Sequence, residues 1–439
     1  MKTEISENKS ERMKIVGGSI IGTNGESTEK KNIWIDNGRI ANLTDPDVEV
    51  EKSPPQHVID ASECIVSRLL VDTSVRFKEP GFEYKSSLMS ELFAAVAGGI
   101  GFLSCPPDTE PCLDEPGSVE ILKKRAEAYG MAKIYPLGAL TSGLNGSQLT
   151  EMAELSRAGC IGFSQANVPL KDTLVLFKAL QYASSFDFRV WLSPIDPWLS
   201  RGAAIHSGVV SSRLGLSGVP SCAETINLMT ILELAKLTGV KLHVCRISTA
   251  DSVNLIKKAK SDGLNVTCDV SVHHLHLTEY DVGDFYTFSS VFPPFRTERD
   301  RTALTAGVLD GTIDCICSDH TPIKPERKNL PFGEAVPGVV GLELLLPLTL
   351  SWAEKQKITL SQAISMITFR PAKIMNLEYP EIKVGEAANL CIFNPESYWI
   401  LNDTNLVSQG KNTPFYGYEL KGKVKATIIN GRLVYPLLN

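Results

Sequence analysis

Eight short apolar runs recur between residues 66 and 355, with helix-patterned segments between them. They are LLVDTSV (69–75), GIGFLSC (99–105), AKIYPLGAL (132–140), CIGFSQA (160–166), RVWLSPI (189–195), KLHVCRIS (241–248), LNVTCDVS (264–271) and TIDCICSD (312–319). The intervening helical pattern is clearest over 86–98, 117–130 and 223–237. Strands that are apolar almost throughout, rather than at alternate positions, belong to a parallel sheet covered on both faces. Eight strand–helix units predict an α/β fold of the TIM (β/α)8 barrel type, with a doubly wound sheet as the alternative.

The flanks have a different texture. Residues 13–65 carry MKIVGGSII, KNIWIDNGRIANL and HVIDASECIV, and residues 383–437 carry KVGEAANLCIFNP and KVKATIINGRLVY. These are short strands with Asn-Gly and Gly-Gly turn signals. The expected division is a small composite β-sandwich built from both termini (13–65 with 378–437) and a barrel over 66–377. Its last part, 357–377, reads as a helix-rich connection.

Composition narrows the function classes. A hydrophobic fraction of 43% supports a large core, and a net charge of −6 argues against nonspecific binding to nucleic acid or anionic membranes. No run approaches the roughly 18 apolar residues of a membrane span. The opening MKTEISENKSERMK lacks the apolar stretch of a signal peptide. The ten cysteines are scattered singly through apolar runs without a CxxC pair, as expected of reduced, core-filling thiols in a cytoplasmic protein.

Active sites on this fold lie at the C-terminal strand ends. There the sequence delivers Ser74 and Arg76, with Lys78 just beyond, then Asp108, Gln165, Asn167, Ser193, Arg246, the cluster His273, His274 and His276, and finally Asp319 and His320. A catalytic zinc needs about three converging N, O or S ligands. The His cluster lies on one segment without helical spacing, and reads either as metal-directed or as loop and core histidine. Asp319 with His320 reads equally as an acid–base pair or as a capping Asp beside a structural His. His243, inside the sixth strand with Arg246 nearby, reads as core. Arg76 and Arg246 would each repel a divalent ion. No GxxxxGK phosphate loop is present.

Several ordered phrases carry a family resemblance: DNGRI, VIDA, EPGFEYK after the first strand, GVVGLE, FRPAKIMNL, VGEAANLCIFNP and KATIINGRLVY. Over nearly its whole length the chain resembles the long class I dihydroorotases of the amidohydrolase superfamily, whose fold is a metal-dependent barrel with a β-sandwich made from both ends. The resemblance implies a metal-binding His-x-His pair after Asp72, where this chain has Ser74 and Arg76. The metal carboxylate after strand four falls on Gln165, the histidine after strand five on Ser193, and the histidine of strand six on Arg246. Asp319 alone of the six metal positions keeps its family residue. Of the positions that would contact substrate, the Arg is Lys78, the Asn is Asp108, and the further His is Ile323. These replacements imply a vestigial site with no metal and no cofactor, since zinc supplies both the Lewis acid and the activated water of such chemistry. An Arg–Asp319 pair would stand in for the cation.

The phrases CPPDTEPCLD, IYPLGALTSGL and LQYASSFDFRV are similar to a non-catalytic branch of the family that binds the aspartate transcarbamoylase catalytic subunit. That likeness implies a structural role in pyrimidine biosynthesis, as a homo-oligomer within a larger assembly. Two alternatives stay open. One is an active dihydroorotase or other cyclic amidohydrolase, with zinc displaced onto His273, His274, Asp319 and His320. The other is a module that keeps the pocket for a metabolite of that pathway.

Overall fold

The computed structural model describes residues 12–22, 29–48, 55–77, 79–83 and 86–436. Each apolar run contributes one strand of a parallel sheet: β1 (Leu70–Asp72), β2 (Ile100–Cys105), β3 (Lys133–Ala139), β4 (Gly162–Ser164), β5 (Arg189–Leu192), β6 (Lys241–Val244), β7 (Val266–Ser271) and β8 (Cys315–Cys317). They hydrogen-bond in sequence order from β1 to β8, every ladder parallel. Sequence order in a parallel sheet is what repeated strand–helix units produce.

Closure of the barrel occurs above β1 and β8, not along them. Val75 bridges His320 in parallel, Arg76 N–H donates to the His320 carbonyl at 2.8 Å, and His320 N–H donates to the Ser74 carbonyl at 3.2 Å. The strand-end residues singled out in the sequence are thus part of the seam itself.

Eight helices flank the strands and supply the outer layer: α1 (Leu88–Ala97), α2 (Pro116–Ala128), α3 (Met152–Ala158), α4 (Thr173–Ser185), α5 (Cys222–Thr238), α6 (Ala250–Ser261), α7 (Glu298–Leu309) and α8 (Leu345–Gln356). Ser87 caps α1 by accepting from Ser90 N–H, and Asp172 caps α4 by accepting from Leu174 N–H. The 357–377 stretch forms two short helices, Leu360–Ser365 and Phe369–Ile374. It closes the N-terminal end of the barrel, where the Ile367 and Met366 carbonyls accept from Val71 and Ile316 N–H. No helix among the described residues is long and apolar enough to cross a membrane.

The two ends of the chain meet in a separate eight-stranded sheet. Its order is Arg432–Tyr435, Glu419–Ile429, Leu390–Ile400, Ile65–Arg68, Met13–Ile20, Glu29–Asp36 and Arg39–Thr44, with His57–Asp60 also paired to Met13–Ile20. Inward-facing Met13, Ile15, Ile33 and Ile35 from the N-terminal part share one core with Leu390, Ile392, Ala426 and Ile428 from the C-terminal part. Both Asn-Gly signals are hairpin turns with positive φ at each central residue: Asn37 and Gly38, Asn430 and Gly431. The turns pack against each other so closely that a Cβ on Gly431 would lie 2.4 Å from the Gly38 Cα.

Candidate functional site

Six of the eight strand ends send side chains to one point at the mouth. The guanidinium of Arg76, after β1, donates from Nη1 to Asp319 Oδ1 at 3.3 Å, from Nη2 to Asn167 Oδ1 at 3.0 Å and from Nε to Asp108 Oδ2 at 3.2 Å. The guanidinium of Arg246, after β6, reaches the same acceptors from the other side. Its Nη1 lies 2.8 Å from Asp319 Oδ1, and its Nη2 is 2.5 Å from Asn167 Oδ1 and 2.7 Å from Ser193 Oγ. Two cations therefore share one carboxylate oxygen and one amide oxygen. Arg76, Arg246 and Asp319 are buried, whereas Asp108, Asn167 and Ser193 are partly open to water.

The charge balance follows from these contacts. Burial alone would favour loss of the Arg246 proton, but the Asp319 carboxylate outweighs it and raises the guanidinium pKa. A second layer fixes the backbone beneath. Asp269, fully buried in β7, accepts from Arg246 N–H at 2.6 Å, Thr73 Oγ at 2.7 Å and His243 Nε2 at 3.1 Å. Burial opposes its charge, yet these donors hold its pKa below the ordinary aspartate value. His243 is a core residue as expected, but its ring partners are Asp269 and Thr267, not the Arg246 side chain.

The strand ends carry a conformational signature as well. Ala166, Arg246 and Asp319, at the ends of β4, β6 and β8, have φ of 51°, 54° and 49°. Left-handed backbone costs a non-glycine residue about 1–2 kcal/mol, and such strain collects where the surrounding structure imposes a side-chain direction. At Ala166 the turn reverses which neighbour faces the mouth. Asn167 enters the cluster, whereas Gln165 turns aside to Thr141 Oγ1 and the Leu144 carbonyl, both at 2.9 Å. The sequence delivers both Gln165 and Asn167 to the mouth, with Gln165 at the metal position, and only Asn167 reaches the cluster. An Ala in left-handed conformation leaves no sequence signal.

Other expected residues are distributed as follows. Ile323 is buried, and its N–H donates to Asn412 Oδ1. Lys78 lies outside the described residues. The histidines grouped as a displaced metal site have separate partners. His273 Nε2 donates to the Ser318 carbonyl, His274 Nε2 to that of Pro293, and His276 Nε2 to that of Leu348. His320 Nδ1 accepts from Gly341 N–H, so its Nε2 carries the proton toward Glu91 Oε2 at 2.8 Å. The same carboxylate oxygen accepts from Ser408 Oγ at 2.6 Å. His320 is thus a link between β8, α1 and the C-terminal segment. Among the described residues no three His, Cys, Asp or Glu side chains converge on a point that could hold a metal ion. The six positions at the mouth do not fit a divalent cation either, because two guanidinium groups already fill the space around the one carboxylate.

Burial pushes the pKa of His273 down to about 3 and those of His274 and His276 down to about 4, from an ordinary 6.5. All three are neutral in the fold but protonate near 6.5 once unfolded, so below that pH the unfolded chain binds more protons. Their contribution is complete above pH 6.5 and is lost as pH falls toward 4. Asp72 and Glu343, raised by burial to about 6 and about 7, act in the opposite sense and soften the slope. The melting temperature is expected to fall between pH 6.5 and 4. The substitution His276→Gln, which keeps a donor for the Leu348 carbonyl, should flatten the curve. Parallel curves for the two proteins would refute this assignment.

Comparison with known proteins fits this architecture. The family description "Dihydro-orotase-like" matches residues 64–252, and "Amidohydrolase family" matches residues 206–434. The chain is 35% identical over 423 residues to the dihydroorotase of Syntrophotalea carbinolica, covering 96% of this chain and 99% of that one. The chain belongs to the dihydroorotase family. It is also 37% identical over 380 residues to a dihydroorotase-like protein of Pseudomonas aeruginosa, covering 87% and 90% of the two chains. The fold of this dihydroorotase-family chain extends to L-hydantoinase (dihydropyrimidinase) from Arthrobacter aurescens, with a TM-score of 0.82, 22% identity and coverage of 96% and 95%. Within that family frame, the mouth holds a closed polar cluster of two cations and two carboxylates, Asp319 and Asp108.

Proposed function

We propose that this dihydroorotase-family chain is a non-catalytic subunit of pyrimidine biosynthesis in the cytoplasm. Its role is to hold the aspartate transcarbamoylase catalytic subunit in a larger assembly, in which the chain is itself oligomeric. One observation carries the reading: Arg76 and Arg246 jointly occupy Asp319, at the positions where the family resemblance puts metal ligands. A hydrolase of this type needs an electrophile and an activated water. Guanidinium groups committed to a buried carboxylate and an amide offer no open coordination position. A relative named dihydroorotase-like, not dihydroorotase, accords with this reading. The transcarbamoylase partner comes from the likeness of CPPDTEPCLD, IYPLGALTSGL and LQYASSFDFRV to the non-catalytic branch.

Three measurements test the proposal together. After incubation with zinc and desalting, elemental analysis should find near zero metal per chain. No hydrolysis of dihydroorotate or cyclisation of carbamoyl-aspartate should be detectable. The tagged chain should co-purify with aspartate transcarbamoylase. One or two zinc ions per chain together with dihydroorotase activity would overturn the reading and restore the enzyme named in most of the family comparisons.

A further inference from the structure

A cavity of about 250 Å³ lies where α1 and α8 of the barrel meet the terminal sheet, apart from the mouth. Most of its wall is apolar: Leu346 and Pro347 from the first turn of α8, Val424 from strand Glu419–Ile429, and the rings of Trp399 and Tyr435. Both rings are fixed in place. Trp399 Nε1 donates to the Gly422 carbonyl at 3.1 Å, and the Tyr435 ring packs against Phe93 with centroids 6.0 Å apart.

One carboxylate lines this space. Glu343, just ahead of α8, accepts from Val407 N–H at 2.7 Å and from Ser408 N–H at 3.0 Å, one bond to each oxygen. An ionised carboxylate has acceptor sites for about four hydrogen bonds, so Glu343 keeps capacity for a further donor. No lysine or arginine among the described residues forms an ion pair with it. The Lys411 ammonium is bound to the Leu406 carbonyl, and Lys423 is an exposed residue of the rim. Burial, reinforced by Glu91, pushes the Glu343 carboxyl up to about 7, because the two N–H donors and Lys411 offset only part of the lost hydration. Helix α1 ends at Ala97 on the same cavity, and the partial negative charge of a helix C-terminus adds to that of the carboxylate.

We propose that this cavity binds the ammonium group of a small aliphatic amine, held by Glu343 between the Trp399 and Tyr435 rings. Aromatic rings attract an ammonium ion and shield its alkyl chain from water. A divalent metal ion is the wrong occupant, since calcium and magnesium take about six or more oxygen ligands, and Glu343 is the one carboxylate of the lining. The volume lies below the roughly 300–1,000 Å³ of sites for drug-sized ligands, which sets the size of the amine. The site does not depend on the scaffold role.

The test is isothermal titration calorimetry of the full chain at pH 8 with n-butylammonium chloride, beside n-butanol and sodium butyrate. Butylammonium is expected to bind with a Kd on the order of 1 mM, and the neutral and anionic analogues at least tenfold more weakly. Glu343 is faced by Tyr435, Lys411, Lys423 and Glu91. It must be ionised to hold the amine, so affinity should drop about tenfold from pH 8 to pH 6. Glu343→Gln should weaken binding at least tenfold with an unchanged circular dichroism spectrum. Should that variant fail to fold, Trp399→Leu, which leaves the carboxylate in place, should weaken binding several-fold. Lys423→Met should bind as the unmodified chain does. The inference is overturned if butylammonium gives no heat, if butanol binds as well, or if whichever of the first two variants folds binds undiminished. Binding by Lys423→Met alone also overturns it, since the cavity would then be filled by the protein's own lysine.

Discussion

Asp319→Ala is expected to destabilise the barrel by about 3–5 kcal/mol, the cost of leaving a buried charge without its partner. Two guanidinium groups depend on this one carboxylate, at 2.8 and 3.3 Å, and both are buried. The other acceptors of Arg246, Asn167 Oδ1 and Ser193 Oγ, are neutral, and the second carboxylate of Arg76, Asp108, is partly open to water, so neither replaces Asp319. Part of the Ala effect belongs to the backbone, because residue 319 has φ +49°. Asp319→Asn separates the two terms: Asn tolerates left-handed backbone and still accepts a hydrogen bond, so it loses the charge alone and should be intermediate. Urea unfolding of the three proteins reads the order directly. An Ala variant as stable as the unmodified chain would mean that the arginines have another counter-charge or are solvated.

The second large effect is expected at Glu91 in α1, which takes no part in the arginine cluster but holds its neighbour His320. Glu91 and His320 are fully buried, and the Glu91 carboxylate also takes hydrogen bonds from Ser408 Oγ and Ser90 Oγ, at 2.6 and 3.3 Å. Glu91→Ala strands several donors from three parts of the chain in an apolar interior. Each unmade buried hydrogen bond costs about 1–3 kcal/mol, so the loss should match or exceed that at Asp319. Glu91→Gln keeps an acceptor of the same shape for His320 Nε2–H and should recover most of it. The comparison is made by thermal unfolding at neutral pH. If the Gln and Ala variants melt together, the hydrogen bond to His320 is not what holds this junction.

The barrel was legible because its strands are apolar at nearly every position, and that texture survives in any parallel sheet covered on both faces. The terminal sheet was legible through Asn37-Gly38 and Asn430-Gly431, whose backbone requirement few residues meet. Much of the mouth was also in view, as Arg76, Arg246 and Asp319 could be placed at strand ends by position alone. What could not be read was the direction in which a side chain leaves its strand. Gln165 and Asn167 are two residues apart, and ordinary alternation would put them on one side; the left-handed Ala166 between them breaks the rule. Nor could His320 be assigned to Glu91, since the two are 229 positions apart and pair only once α1 has docked beside β8. His273, His274 and His276 stayed open between two readings for a related reason. Adjacent histidines suggest a shared ligand, whereas here the backbone of a short turn sends each ring to a different carbonyl.

Strand Ile65–Arg68 lies between Met13–Ile20 and Leu390–Ile400, so the terminal sheet cannot be completed in the order in which the chain is synthesised. While the barrel emerges from the ribosome, one edge of Ile65–Arg68 has no strand to pair with, and an unpaired edge is open to association with other chains. Pairing waits for Leu390–Ile400 and is extended by Glu419–Ile429 and Arg432–Tyr435. A chain cut short by even its last two strands would leave Leu390–Ile400 as the new edge, with Ile392 and Phe393 losing cover. The sheet is therefore complete only once the hairpin of Glu419–Ile429 and Arg432–Tyr435 closes against Gly38.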